Sequence, residues 1–211
     1  MARLTAPNRT RTIAVTGMLL AVLLLFVFTP IGYIPIPPAN PTTMCIPVLV
    51  GMMVEGLPIG MLLGFAFGLT SLLRALFGVS LYVFSNPLVS VIPRVLIPVV
   101  AWIVLRALGS LTRRGALGEA AAMGIGAFCG SATNTLLVLP LITLFYGDAL
   151  GKPIGVVMLT NGLPEALVAA VIVPAVVAAL QRAGLRRLDP TQSIIESLKD
   201  RIDADRKRPR A

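Results

Sequence analysis

The chain has no histidine, only two cysteines, one tryptophan and few charges for its length. Charged residues make up 13% of 211, against roughly a quarter in ordinary globular chains. Without histidine, His-dependent nucleophilic triads and most zinc sites are excluded. Cys45 and Cys129 lie in apolar runs and read as small core residues, not as a disulfide framework. No G-x-x-x-x-G-K-[ST] phosphate loop occurs, so any ATP must be handled by another protein. Nor is there nucleophile–base spacing of the kind an intramembrane enzyme needs.

What is present points to a membrane. Hydrophobic residues make up 56% and the mean hydropathy is +0.90. The apolar runs repeat at about 20 residues, the length at which a helix crosses a bilayer core. They lack the strict alternation of a barrel strand facing lipid. The reading is an all-α membrane protein with six transmembrane helices in one bundle. A net charge of +9 does not signal nucleic acid here, because the basic residues flank the spans. Arg3, Arg9 and Arg11 precede the first run, Arg106, Arg113 and Arg114 share one short loop, and nine of the 18 follow Leu180. That positive-inside pattern puts both termini in the cytoplasm. The chain then divides into a cytoplasmic tail over residues 1–12, a membrane domain over 13–182 and a basic cytoplasmic tail over 183–211. The first run could pass for a signal peptide, but no clear small-x-small cleavage site follows it. It reads as a retained span.

Span 1, Ile13 to Phe28, carries Gly17 and Ala21, a small-xxx-small pair that admits a second helix backbone. That pair serves either packing within the bundle or docking of a separate membrane subunit. Thr29 to Thr43 holds five prolines and is not helical, since each interior proline costs roughly 3 kcal/mol. Its length, apolar content and Tyr33 favour a lid over a plain connector. Span 2, Met44 to Val54, is short and turns at Glu55-Gly56-Leu57-Pro58. In span 3, Gly60, Gly64 and Gly68 form a stripe without side chains, the mark of a tight helix contact. Arg74 stands at its outer boundary, where it snorkels. Spans 4, 5 and 6 run from Leu88 to Leu105, Glu119 to Tyr146 and Val156 to Leu180. In the basic tail, Ile194, Ile195, Leu198 and Ile202 make one apolar stripe, suited to a membrane surface or a partner.

Four polar side chains remain inside the spans: Arg94, Asn134, Asn161 and Glu165. An ionisable group in hydrocarbon is costly enough to mark function by default. At 1.5 Å per residue Arg94 lies about 9 Å below the outer end of its span, Glu165 about 10 to 13 Å and Asn134 about 18 Å. Ala122, Gly126, Gly130 and Asn134 recur every four residues, so they share a face that packs on protein. The expectation is a pocket opening outward. Within it, Arg94 and Glu165 form either a structural ion pair or a pair that orients the guanidinium toward a ligand anion. A buried pair contributes little net stability, which makes a purely structural purpose less attractive. The planar fork of arginine suits a carboxylate, and the asparagines offer donors and acceptors.

These residues sit in recognisable segments: TPIGYIP (Thr29 to Pro35), TTMCIPVLVGMMVEG (Thr42 to Gly56), GFAFGLTSL (Gly64 to Leu72), FSNPLVSVIPRVL (Phe84 to Leu96), ATNTLLVL (Ala132 to Leu139) and NGLPEALVAAVIVP (Asn161 to Pro174). With them the chain resembles the substrate-binding S component of energy-coupling factor (ECF) vitamin transporters, most of all the pantothenate-type branch. The resemblance implies a six-helix subunit that binds a small water-soluble vitamin from outside and needs no cofactor. It implies a transmembrane coupling subunit and two ABC ATPases as partners, and toppling of the S component in the bilayer. Asn86 and Tyr33 join Arg94, Asn134, Asn161 and Glu165 as candidate substrate contacts, while Ala14, Gly17 and Ala21 match the docking motif on the first helix. One departure is Cys45, which stands where many relatives have histidine. Riboflavin, cobalamin and folate therefore stay open as alternative vitamins, and a standalone carrier as an alternative mechanism.

Overall fold

A computed structural model describes residues 9–29, 43–78, 82–109, 115–147 and 154–183. The proline-rich stretch around Tyr33 and the apolar stripe of the basic tail lie outside them. The described residues fold into helices without a strand. These are α1 (Arg9–Phe28), α2 (Cys45–Glu55), α3 (Leu57–Leu76), α4 (Pro87–Ser90), α5 (Ile92–Ala107), α6 (Ala116–Tyr146), α7 (Ile154–Val157) and α8 (Leu163–Arg182). A 3-10 turn, Tyr82–Ser85, precedes α4, and a π-helical turn, Met158–Gly162, joins α7 to α8.

Among the described residues, five stretches are long and apolar enough to cross a bilayer: Thr10–Phe28, Leu57–Leu76, Pro87–Ala107, Ala116–Tyr146 and Gly155–Arg182. The stretch expected as span 2 is α2, and its 11 residues reach only about 16 Å at 1.5 Å per residue. It is nevertheless the centre of the bundle. Cys45, Val48 and Leu49 are wholly buried, and of its residues only Met53 is not buried. Neighbouring helices α1, α3, α5 and α8 all pack on it. Lipid-facing positions such as Phe65, Ile103, Leu144 and Val171 are exposed and apolar, as a bilayer requires.

Depth can be read from one bond. Thr12 Oγ1 donates to Glu55 Oε2 at 2.9 Å, tying the end of α2 to the first turns of α1. α1 already begins at Arg9, four residues before the expected start, so Thr12 is helical and in place for this contact. Gly56 turns the chain straight into α3 with φ 98°, a left-handed value that favours glycine. Cys45, ten residues back along α2, therefore lies about 15 Å from that end, half-way through the bilayer.

The glycine stripe of α3 lets α5 settle on it. A Cβ at Gly64 would sit 2.5 Å from the Arg94 carbonyl oxygen, and one at Gly68 would sit 2.7 Å from Val91 Cα. On the opposite flank of α5, a Cβ at Gly130 would sit 3.0 Å from the Ile97 carbonyl oxygen. So α5 is held between α3 and α6 with its backbone close to both. That packing confirms the expected stripe and turns Asn134, on the same face as Gly130, inward.

Gly17 is different: it is exposed, and a Cβ there would meet nothing within 4 Å. Alanine at Gly64 should destabilise the purified protein by about 1–3 kcal/mol through overpacking against backbone. Alanine at Gly17 should leave stability unchanged or raise it by up to about 1 kcal/mol, as in an open helix. Thermal or denaturant unfolding in detergent checks the contrast, and equal effects at the two positions would contradict this packing.

Candidate functional site

The polar residues of the spans are drawn into the bundle by breaks in helix regularity. The first break lies between α4 and α5. Pro87 opens α4, whose N-cap is Asn86, with Oδ1 accepting from the Leu88 backbone N–H at 3.0 Å. The helix steps at Val91 and restarts at Ile92, so the expected fourth span is interrupted about one and a half turns above its middle. Ser90 Oγ donates to the Phe84 carbonyl, fixing the 3-10 turn against α4.

Arg94 is placed by that step. Its side chain is only 5% exposed. Nη1 donates to the Val89 carbonyl at 2.7 Å. Two rings flank the guanidinium, with Cζ 4.9 Å from the Phe84 centroid and 5.5 Å from that of Phe67. Cation–π attraction is worth roughly 2 kcal/mol when desolvated, and here two rings share the cation. A helical carbonyl, two aromatic faces and a carboxylate thus replace water around one charge.

That carboxylate is Glu165, in the first turn of α8 and 7% exposed. It interacts electrostatically with Arg94 and lies within hydrogen-bonding reach of the Cys45 thiol. Cys45 Sγ also lies 3.6 Å from Ser131 Oγ, to which it donates. Helices α2, α5, α6 and α8 therefore meet in one polar layer: Cys45, Arg94, Ser131 and Glu165. Asn134 stands three residues beyond Ser131 on the same face of α6 and is 9% exposed.

The second break is the π turn Met158–Gly162, which carries Asn161. Gly162 makes it possible: a Cβ there would come within 2.6 Å of Thr135 Cγ2, so the widened turn presses against α6 beside Asn134. Single π turns inside helices are rare and occur often at functional sites. Asn161 is half-buried and engaged with a partner.

Two atoms in this layer stand out. Arg94 Nε and Asn134 Oδ1 are buried with no hydrogen-bond partner among the described residues. Such groups are few in native proteins, and each asks for an explanation. Together they present one donor and one acceptor.

The structure brings the charges of Arg94 and Glu165 into interaction and buries Asn134 on the inward face of α6, while Asn161 is half-buried in the π turn. Asn86 is occupied as a helix cap through its oxygen, and Tyr33 lies outside the described residues. Cys45, Ser131, Phe67 and Phe84 belong to the layer but were not anticipated as such. For Ser131 a signal existed, since it shares the inward face with Asn134. For the two phenylalanines there was none, because an aromatic residue in an apolar run looks the same whether it faces lipid or a cation. On α1, Ala14, Gly17 and Ala21 are all exposed on the side turned away from the bundle.

Comparison with known proteins agrees with this architecture. The profile described as "ECF transporter, substrate-specific component" matches residues 11–177. The chain belongs to the family of ECF transporter substrate-specific components. It is also 31% identical over 166 residues to the pantothenic acid transporter PanT of Lactococcus lactis subsp. cremoris (strain MG1363), covering 69% of this chain and 80% of that protein. This S component is accordingly a multi-pass membrane protein and a transporter subunit.

Removing one member of the buried pair should be worse than removing both. Arg94→Met takes the guanidinium charge away from the Glu165 carboxylate and should cost about 3–5 kcal/mol. Adding Glu165→Gln to Arg94→Met should restore most of it, so the double variant falls well short of the sum of the two single losses. A double-mutant cycle by unfolding in detergent measures this, and additive losses would contradict the pairing.

Proposed function

We propose that this S component captures pantothenate in the polar layer between α2, α5, α6 and α8 and delivers it for import. The observation that carries this reading is a guanidinium held at bilayer depth with its Nε lacking an acceptor among the described residues. Pantothenate is a carboxylate with hydroxyl and amide groups. Its carboxylate matches the Arg94 fork, and its hydroxyl or amide N–H matches the open acceptor of Asn134. The relative named for pantothenic acid transport supports the same vitamin. Asn161, the Asn86 amide N–H₂ and Tyr33 are the further contacts in this reading.

In this reading the bundle has six spans, α2 being the second, and both termini face the cytoplasm. The end of the bundle where α1 begins and α8 ends carries Arg11, Arg106 and Arg182, in keeping with the positive-inside rule. The site then opens to the exterior, toward the ends of α3 and α6 and the start of α5. Residues 1–12 and 183–211 form the cytoplasmic tails.

Import needs an energy source that this chain does not encode. A transmembrane coupling subunit and two ABC ATPases would supply it, the coupling subunit docking on the small-residue face of α1. Ala14, Gly17 and Ala21 suit that role, because they leave a backbone-close surface that no other described element covers. The S component would topple against that partner to release the vitamin inward.

Calorimetry of purified protein against pantothenate, riboflavin, folate and cobalamin tests the substrate. Saturable binding is expected with pantothenate alone, and binding of another vitamin in its place would reassign the site. Uptake by whole cells should fall to background when the coupling subunit or the ATPases are absent. Undiminished uptake would identify a standalone carrier instead.

A further inference from the structure

Six buried side-chain polar atoms lack a hydrogen-bond partner among the described residues, and four of them lie where α1 begins and α2 ends. The four are Arg11 Nε and Nη2, Thr16 Oγ1 and Glu55 Oε1; the other two belong to the polar layer. We propose that Arg11 and Glu55 are positioning residues for delivery, which pair with each other when the coupling subunit docks on α1 and so displace α2 beneath the vitamin. This inference rests on the capture and docking reading given above.

Charge and reach come first. Glu55 is 3% exposed, and its Oε2 is taken by the Thr12 hydroxyl while Oε1 has no donor. Arg11 precedes Thr12 on α1, with its Cα about 3.8 Å away, an offset its long side chain can cross. Nε and Nη2 form the edge of the guanidinium that grips a carboxylate through two parallel bonds. Moving the carboxylate from Thr12 to Arg11 would replace a bond to a neutral hydroxyl with charge-assisted ones, roughly twice as strong.

The setting of α1 explains why Thr12 holds the carboxylate in the free subunit. Val15, Leu19, Leu23 and Val27 form the buried stripe of this helix, and Thr12 continues it toward α2. At 3.6 residues per turn Arg11 stands about 100° round the axis, on the flank between Thr12 and the exposed Ala14. A partner seated on Ala14, Gly17 and Ala21 bears directly on that flank. Helix shifts of about 1–2 Å at such contacts are a common way of switching packed interfaces.

The link to the vitamin is α2 itself. Its other end is Cys45, about 15 Å from Glu55 and within the polar layer, 3.6 Å from Ser131 Oγ. A Cβ at Gly60 would sit 2.5 Å from Met52 Cβ, so α2 lies hard against α3 without slack. Close-packed elements transmit displacement instead of absorbing it.

Four forms test the proposal: wild type, Arg11→Gln, Glu55→Gln (which keeps an acceptor for Thr12) and the double variant. In detergent the two single variants should lower the melting temperature additively, because the pair is not made at rest, and each should bind pantothenate within twofold of wild type. In proteoliposomes with the coupling subunit and ATPases, uptake should fall at least fivefold in either single variant and no further in the double, while Arg11→Lys keeps it. Undiminished uptake in a single variant, additive uptake losses, or affinity that falls in step with uptake would overturn the proposal. So would non-additive melting shifts, which would place the pair in the free subunit. Should Glu55→Gln fail to fold, equal uptake by Arg11→Gln and Arg11→Lys would overturn it, and loss in the first alone would support it. If wild type binds another vitamin, the substrate assignment fails and the same comparison is made with that vitamin. Wild-type uptake without the coupling subunit would sink the docking reading and this inference with it.

Discussion

Everything in this fold is arranged around a guanidinium kept inside a bilayer. An unaccompanied arginine at that depth costs several kcal/mol, and most membrane spans avoid one. Here the charge meets a helical carbonyl from Val89, the faces of Phe67 and Phe84, and the field of Glu165. Of these, the Phe67 ring would not reach it if α5 stood further from α3. The bare flank of Gly64 lets the Arg94 backbone approach to a distance no side chain would allow. The glycine stripe and the buried charge are thus linked: the first brings one of the two rings against the second.

Irregular backbone supplies the rest. In hydrocarbon, non-helical segments survive only where protein or a water-lined cavity covers them. The step at Val91, the start of α2 at mid-depth and the π turn before α8 all occur at the level of the polar layer or beside it. Each releases backbone groups or redirects a side chain where a solute would need them. Elsewhere the helices run regularly, and prolines at positions 98, 140 and 174 are absorbed within them. The contrast between regular supports and broken site helices is what a capture subunit needs, with rigidity outside and adaptable polarity within.

Much of this was legible from residue order. Spacings of four in Gly60-Gly64-Gly68 and in Ala122-Gly126-Gly130-Asn134 gave the tight contacts and the inward face of α6. Rare charges in apolar runs gave Arg94 and Glu165 as a pair. Less legible was the partner set of the cation. Phe67 and Phe84 come from separate elements, and nothing in their local pattern distinguishes a ring that faces lipid from one that faces a guanidinium. Cys45 read as a small core residue, and it is buried, but its thiol also donates to Ser131 and lies near the Glu165 carboxylate. The π turn escaped notice because a one-residue insertion does not disturb hydropathy. Its trace was Gly162, whose closeness to Thr135 only three dimensions reveal.

The central claim is that Arg94 waits for a carboxylate. Titrating the wild-type protein with pantothenate and with its alcohol counterpart, which lacks only that charge, addresses it most directly. The account expects the acid to bind at least tenfold more tightly, since a hydrogen bond to a charged group contributes about 1.5–3 kcal/mol. Matching affinities for the two would mean that the buried cation serves the fold and not the ligand.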